Sequence, residues 1–357
     1  MRRLPRGFTL IEVMISLAIL ALVMSAVSTF FLGSIRQFKV QSGIAQTGMD
    51  SLIGSELLRK DIEHAGYGLP WNNIPAYNDA ASGILSDSNV APRGIVSVNG
   101  GGLNGSDYLV IKAANVGTSQ ACKKWTTLQV GGGKRSWTTV PPNAEDLGNN
   151  DRVIVLAPGS TGTNWRSLVV PAGWSTTFGN TASFEPATAA DTRVIYGVDG
   201  PSAGNPLRMP FNRADYTVST ANVPQRCGPN TGVLVKSVVM HSDGTLDTAL
   251  PLLDCVASMQ VQFDLDTDGD GVVNPLSGYE NDLAGLTAQQ VRDQVKQIRV
   301  SLLAHEGGQD PKYVHSVASI PLGDTSVDLT DAAFLGKGRN YRWKVYTLSV
   351  TPQDLGG

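Results

Sequence analysis

The densest group of residues that could do chemistry is a run of alternating aspartates. Carboxylates at every second position, followed by a glycine, are what a loop needs to surround Ca²⁺ with oxygen ligands. Asp266, Asp268 and Asp270 would occupy the first, third and fifth positions of such a loop. The run therefore predicts a structural calcium site with the ligands Asp266, Asp268, Asp270, Val272 through its carbonyl, Asn274 and a later acid, Glu280.

This stretch resembles the beginning of an EF-hand or dockerin-type loop. It departs from that pattern at the twelfth position, where Ser277 stands instead of an acid that binds through both oxygens, and Glu280 or Asp282 would have to supply that group. A register that begins at Asp264 is less favourable, because it places Val272 where a polar ligand is needed. Zinc is disfavoured because the run contains neither histidine nor cysteine. The alternative interpretation is a solvated acidic turn without an ion.

Three cysteines allow at most one bridge within the chain. Cys227 and Cys255 flank a predicted hairpin whose turn contains Asp243 and Gly244, so they are the preferred disulfide pair. Their distances from that turn are unequal, which leaves the pairing open. Any such bridge presupposes export to an oxidising compartment.

No constellation of catalytic residues is recognisable in the sequence. The four histidines are scattered, and H-E-x-x-H does not occur. Residues 100–105 fit G-x-G-x-x-G, but a strand and not a helix is predicted to follow them, so a hairpin loop is favoured over a dinucleotide site. We therefore expect that the protein is not an enzyme.

Composition narrows the class of protein further. The chain has 357 residues, a net charge of -3, 41% hydrophobic residues and 17% charged residues. This balance excludes a highly charged disordered chain and a multi-span membrane protein. It also lacks the basic excess that a nucleic-acid partner requires, so no nucleic acid is expected among the partners.

The first 35 residues differ from everything after them. Three arginines precede a stretch without charge, residues 13–35, which is long enough to span a bilayer as a helix and should keep its N-terminus cytoplasmic. Glu12 tells against a cleaved secretory signal or a plain anchor, because a carboxylate in an apolar segment costs roughly 2.5–3.5 kcal/mol when central. A cut between Gly7 and Phe8 would give Glu12 a partner, since a new amine would appear one helical turn away.

Residues 6–12 resemble the N-terminal motif of the type IV prepilin family, in which a leader ending in Gly is followed by Phe-Thr-Leu-Ile-Glu. The resemblance implies that prepilin peptidase cuts after Gly7 and methylates the amine of Phe8. It also implies that Glu12 pairs with the amine of a neighbouring subunit during assembly. The apolar helix would anchor the chain singly in the inner membrane before assembly and form the filament core afterwards.

By this resemblance the chain has three parts. Residues 1–7 are the leader, residues 8–64 form one long helix whose part 8–35 crosses the membrane, and residues 65–357 form an extracytoplasmic head. No proline interrupts the helical region. The fold class expected is α+β and type IV pilin-like, with a long N-terminal helix packed on a large antiparallel β-rich head.

Beyond the membrane, the helix carries two apolar stripes. Residues on the first stripe lie between Ile35 and Leu57, and those on the second include Leu58 and Ile62. Two apolar faces suit a helix that packs against its own head and against neighbouring subunits. The alternative, equally open for the second half of the helix, is that both stripes serve the core of the head.

The end of the helix, residues 57–68, resembles the hallmark of PilW-type minor pilins, an aspartate and an aliphatic residue before Ala-Gly-Tyr. Segments 105–111, 298–303 and 341–350 look like the same family. The resemblance implies a minor pilin that helps to prime or cap pilus assembly near the tip, with other minor and major pilins and a PilY-type adhesin as partners. The alternatives are a GspJ-like pseudopilin of type II secretion and a tip adhesin whose head binds a ligand.

The head is predicted from short β-rich runs separated by turns. A capping box at Thr287 and Gln290 predicts one helix, with Val291, Val295 and Ile298 at helical spacing. Residues 114–151 and 158–191 are rich in loops and look inserted. The predicted strands are 94–98, 107–113, 152–157, 167–171, 193–198, 232–241, 252–264, 298–305 and 341–351.

Overall fold

The computed structural model describes residues 9–87, 90–137, 144–159, 166–171, 173–200, 206–274 and 283–355. Helix α1, Leu10–Glu63, is a single helix of 54 residues, about 80 Å long at ~1.5 Å per residue. Thr9 caps its N-terminus and His64 its C-terminus. A second, short helix, α2, covers Ala288–Gln294.

The described residues also contain several short 3-10 helices and fourteen strands. In chain order they are β1 Ile95–Val98, β2 Tyr108–Ala113, β3 Trp125–Leu128, β4 Arg152–Ala157, β5 Ser167–Leu168, β6 Thr176–Thr177, β7 Arg193–Gly197, β8 Asn212–Ser219, β9 Gly232–Val238, β10 Leu250–Leu265, β11 Val295–Glu306, β12 Ser319–Leu322, β13 Thr325–Asp328 and β14 Arg342–Val350.

Seven of these strands form the large sheet, in the order β1-β2-β8-β9-β10-β11-β14, with every neighbouring pair antiparallel. Strands β3, β7, β4 and β5 form the small sheet, and β6 adds to β4. Because β2 and β8 are neighbours in the large sheet, the whole small sheet is an insertion between two adjacent strands. Strands β12 and β13 form a separate hairpin.

The last turns of α1 pack on the large sheet. Leu58 and Ile62 are fully buried in the main core, which is built from the sheet residues facing the helix. Gly54 allows this approach, because a Cβ at that position would lie 2.1 Å from the carbonyl oxygen of Leu252 in β10. Gly43 lies against Gly307, just after β11, where a Cβ would be 3.4 Å from the Cα of Gly307. The head therefore contacts α1 from about residue 43 to its end.

All nine predicted strands are present, with ends that differ by a few residues, and the long helix followed by an antiparallel β-rich head confirms the predicted α+β class. Strand β8 was not predicted. Its residues Asn212, Arg213 and Asp215 are polar but buried, so the strand lacks the apolar alternation that marks a half-buried strand. Strands β3, β6, β12 and β13 were missed as well, and part of the supposedly loop-rich insertion forms the small sheet.

The predicted helix after Thr287 is correct at its start and wrong at its end. The capping box between Thr287 and Gln290 is present. Val295 and Ile298, however, belong to β11, where they pair with Leu265 and Phe263 of β10. The helix therefore ends at Gln294, because the following residues pair with β10 although apolar residues continue at helical spacing.

Arg213 and Asp215 of β8 belong to a buried ionic cluster that also contains Asp79, Asp87 and Lys112. The Lys112 ammonium lies 2.7 Å from Asp79 and 2.6 Å from Asp87, and its side chain is 0% exposed. The Arg213 guanidinium binds Asp215 at 2.7 Å and Asp79 at 3.2 Å. Burial alone would raise the pKa of Asp79, but the charges of Lys112 and Arg213 hold it below its usual value.

This cluster joins the loop after α1 to the face of the large sheet, and it should be needed for folding of the head. We expect Lys112→Met to lower the free energy of unfolding by about 3–5 kcal/mol, because the variant leaves buried carboxylates without their central cation. Lys344→Met, at an exposed ion pair with Glu306, should cost less than about 1 kcal/mol. Denaturant titration of the detergent-solubilised chain measures both values. Equal costs for the two variants would contradict a structural role of the cluster.

Candidate functional site

Glu12 lies in the first turn of α1, where it completes a capping box with Thr9. The Glu12 carboxylate accepts hydrogen bonds from the Thr9 backbone N–H at 2.9 Å and from the Thr9 hydroxyl at 2.8 Å. The Thr9 hydroxyl in turn accepts from the Glu12 N–H at 3.3 Å. The spacing Thr-x-x-Glu in the sequence is a signal for such a box. Gly7 and Phe8, the predicted cleavage site, lie outside the described residues.

The first half of α1 is apolar on every side. Its segment Leu10–Ile35 has a mean hydropathy of 2.5 and is long enough to cross a membrane, and none of it is buried against the rest of the chain. Such a helix close to the N-terminus fits an inner-membrane anchor.

Between the membrane span and the head, one face of α1 stays uncovered. This outer stripe consists of Phe38, Met49, Leu52 and Ile53, whose exposed fractions lie between 65% and 73%. The opposite face buries Leu58 and Ile62 completely. The two predicted stripes therefore have different surroundings, because one packs on the large sheet and the other leaves an apolar surface along the helix.

The end of α1 is fixed to the head by Asp61. Its carboxylate accepts a hydrogen bond from the Tyr216 hydroxyl of β8 and forms an ion pair with Lys236 of β9. All three side chains are largely shielded from solvent, so the aspartate sets the axial position of the helix on the sheet. Sequence resemblance pointed to this aspartate, but its role was visible only with both strands in place.

The Ala-Gly-Tyr-Gly segment then turns the chain away from the helix. Gly66 and Gly68 have φ values of +85° and +66°, which favour glycine. The Gly66 N–H donates to the carbonyl of Lys112 at 3.0 Å, and the Ala114 N–H donates to the carbonyl of Tyr67 at 2.7 Å. At Gly68 a Cβ would lie 2.9 Å from that of Ala114. The motif thus joins the helix end to strand β2.

The predicted calcium ligands lie in the turn that follows β10. Oxygen atoms of Asp266, Asp268 and Asp270 all come within 4.8 Å of one another. Asp266 is buried and accepts hydrogen bonds from the N–H groups of Gly269 at 2.7 Å and Gly271 at 2.9 Å. The three carboxylates thus converge as a hard cation requires.

Other predicted ligands take part in the same turn. Asn274 accepts from the backbone and hydroxyl of Thr267 and donates to Asp268 at 3.1 Å. Val272 donates its N–H to Asp270 at 2.7 Å. The Lys296 ammonium lies 3.3 Å from Asp266 and offsets part of the negative charge. Glu280 lies outside the described residues.

Cys227 and Cys255 form a disulfide, with their Cα atoms 4.8 Å apart. Their unequal distances from the hairpin turn are accommodated by β10, whose pairing with β9 shifts register between Leu253 and Val256. Cys255 lies in this irregular stretch with φ +58°. The third cysteine, Cys122, is buried and free.

Cys122 lies in surroundings that do not favour a thiolate. Burial raises the pKa of the Cys122 thiol, which donates to Asp199 at 3.0 Å and is therefore a poor nucleophile. Residues 100–105 form the hairpin loop between β1 and β2, as predicted, and no helix follows them.

A long apolar N-terminal helix, a glutamate in its first turn and an antiparallel β-rich head packed on its second half define a type IV pilin-like protein. A family model for the prokaryotic N-terminal methylation motif matches residues 2–28, and a model for the type IV pilus-assembly protein W matches residues 215–351. Together these matches support a PilW-like type IV minor pilin. The second match runs from β8 to the end of β14, the larger part of the large sheet.

Both matched families are structural pilin components, and they imply interaction with pilus proteins and prepilin peptidase in general. Comparison with curated proteins and with solved structures gives no match.

His305 is expected to make the stability of the head depend on pH. It is completely buried next to the disulfide, and its Nε2 accepts a hydrogen bond from the Gly228 N–H at 2.8 Å, so only the neutral ring fits. Burial lowers the pKa of His305 to about 4. Because this pKa lies below the unfolded value of about 6.5, the related stability is fully present above pH 6.5 and is lost as the pH falls through about 4.

We expect this histidine alone to reduce the free energy of unfolding by about 3 kcal/mol across that range. The measurement is denaturant unfolding of the detergent-solubilised chain at pH 7 and at pH 4.5. His305→Gln should reduce the difference by about this amount, since glutamine can accept from Gly228 without titrating. The part due to His241, whose pKa burial also lowers to about 4, should remain. Thr248→Ala, at an exposed position without a titratable side chain, should leave the difference unchanged. An unaltered pH dependence in His305→Gln would refute the assignment.

Proposed function

We propose that the chain is a minor type IV pilin that prepilin peptidase processes and that helps to prime or cap pilus assembly, near the pilus tip. The main support is the combination of a complete prepilin motif on a helix that could span a membrane with a PilW-type match over five strands of the large sheet. The chain acts by binding and assembly and not as an enzyme. Its partners are other minor and major pilins, with a PilY-type adhesin at the tip, and its head lies outside the cell.

The shape of α1 supports this role. Its outer stripe continues the apolar surface of the membrane span toward the head, so a neighbouring helix could pack along its whole length. A groove of about 370 Å³ between Ile53, Leu57 and the start of β10 extends this apolar surface at the end nearer the head. Packing of this kind suits both a pilus and a type II secretion pseudopilus, but the PilW match favours the pilus.

Processing is tested by mass spectrometry of the chain extracted from membranes. In cells that contain prepilin peptidase, the mature chain should begin at a methylated Phe8. The same chain in cells without the peptidase should keep Met1 and serve as the control. An intact Met1 in the presence of the peptidase would contradict the proposed processing.

Glu12→Ala tests the assembly role. Export and membrane insertion should be unchanged, whereas incorporation into sheared filaments should fall by about tenfold, corresponding to about 1.4 kcal/mol for a lost charge pair. Ser16→Ala, one turn further along the same exposed helix, is the matched control. Immunoblots of filament and membrane fractions give both readouts. Normal incorporation of Glu12→Ala would exclude the role, and loss of type II secretion instead of piliation would favour the GspJ-like alternative.

We also propose that Ca²⁺ binds Asp266, Asp268 and Asp270 and stiffens the end of β10. Val272 and Asn274 would contribute oxygen atoms from the same turn, and Glu280 would supply a further carboxylate. The convergence of three carboxylates in one turn supports this site, although Lys296 competes for Asp266.

Calorimetric titration of CaCl₂ into the chelator-treated, detergent-solubilised chain should show one binding event. Asp268→Ala should weaken it by at least about tenfold, or about 1.4 kcal/mol. Asp247→Ala, at an exposed aspartate elsewhere in the head, should have no effect. Absence of heat, or equal affinity of Asp268→Ala and the wild type, would exclude calcium from this loop.

A further inference from the structure

Among the described residues, four of the five edge strands of the large and small sheets are short or covered. Strand β1 has only four residues, β5 and β6 have two each, and β5 is bridged by Asn72. The edge of β3 is covered by the segment after it, because Lys134 bridges Leu128 and the Trp137 indole donates to the carbonyl of Trp125 at 2.6 Å. Covering or shortening an edge prevents strands of other chains from adding to it.

Strand β14 is the exception. Its nine residues pair with β11 in one uninterrupted register from Arg342 to Val350, without a bulge. No strand in the described part of the chain pairs with its other edge. The side chains of Val345, Thr347 and Ser349 are exposed on one face. A long, regular and open edge is a template for an added strand.

The direction of β14 follows from its ends. Arg342 pairs with Glu306, and the next residue, Gly307, lies against Gly43 of α1. At the other end, the N–H of Gln353 donates to the carbonyl of Glu63 at 2.8 Å. The strand spans about 28 Å at ~3.3 Å per residue, and the helix from residue 43 to residue 63 spans about 30 Å. Strand β14 therefore runs parallel to α1, with Arg342 at the end nearer the membrane.

This direction argues against a second copy as the partner. If two copies paired antiparallel along β14, their α1 helices would point in opposite directions, and both Leu10–Ile35 segments could not enter the same bilayer from the same side. For antiparallel pairing, which is the arrangement of every pair in the large sheet, the added strand must therefore come from a different chain, whose pairing strand runs toward its own membrane anchor.

We propose that β14 accepts an extended, antiparallel strand from a different pilus protein anchored in the same membrane. This inference rests on the proposed function, which supplies the class of partner. The added strand should alternate in character. Its residues on the helix side would be apolar, beside the half-buried Leu348, and its residues on the other face would be polar, beside Thr347 and Ser349.

Site-specific photocrosslinking in piliated cells tests the pairing. Val345, Thr347 and Ser349 are replaced one at a time by p-benzoylphenylalanine in the full chain, and Ser183, an exposed residue beside the small sheet, is the control position. Adducts from filament and membrane fractions are then mapped by mass spectrometry. As the probe moves from Val345 to Ser349, the residue number of the crosslinked position in one partner chain should fall by about two per step, as in an antiparallel pair.

An added Thr347→Lys should reduce the adduct from Ser349 by about tenfold, because a lysine on the edge disfavours strand addition, and should leave folding intact at this exposed position. Adducts between two copies of this chain, labelled positions in ascending order, adducts as frequent from Ser183, or no adducts from filaments that contain the chain would each overturn the proposal. Absence of the chain from filaments would refute the proposed function, and adducts in the membrane fraction would still decide the pairing.

Discussion

The attachment of the head to α1 is the constraint on which the rest of the structure depends. A rigid helix of 54 residues carries its membrane span at one end and its head at the other, so any slip between helix and sheet would displace the head relative to the membrane. Asp61 prevents such a slip, because it binds side chains from two adjacent strands. Gly54 adds a steric constraint, since only a glycine lets the helix backbone approach the carbonyl of Leu252.

The insertion of the small sheet shows how the head can be large without disturbing this attachment. It leaves the chain after β2 and returns at β8, and these strands pair with each other as they would if joined by a simple turn. The small sheet has its own apolar clusters, around Val153 and Ile154, so it does not take residues from the main core. The ionic cluster lies beside the same two strands, through Lys112 and Arg213, and holds the loop after the helix in place.

The elements that could be predicted from the sequence are those whose conformation is determined by a short stretch of the chain. The long helix, its membrane span and most strands follow from local patterns of apolar residues, and so they were predicted with nearly correct ends. Strand β8 was missed because its buried Arg213 and Asp215 satisfy each other only after folding, so the sequence resembles that of a surface loop. The end of α2 was missed because pairing with β10 is a long-range interaction that helical spacing does not reveal.

The residues of the candidate site differ in the same respect, because some follow from a local sequence pattern and others depend on long-range contacts. The cysteine pair was named from its position around a hairpin, but the register shift in β10 that accommodates it has no sequence signal. Asp61 was noticed only by resemblance, because its two partners lie more than 150 residues away in sequence. The aspartates after β10 could be identified from the sequence, because residues two positions apart within one turn also lie close together in the fold.

The capping box at Thr9 has a consequence for the energetics of joining a filament. In the separate subunit, the Glu12 carboxylate already receives hydrogen bonds from the start of its own helix, and these lower the cost of keeping the charge in an apolar region. If Glu12 has the proposed role in assembly, an incoming amine would replace existing donors instead of meeting a bare charge. Assembly at this residue would then be an exchange of partners, driven by the difference in free energy between two hydrogen-bonded states of the carboxylate.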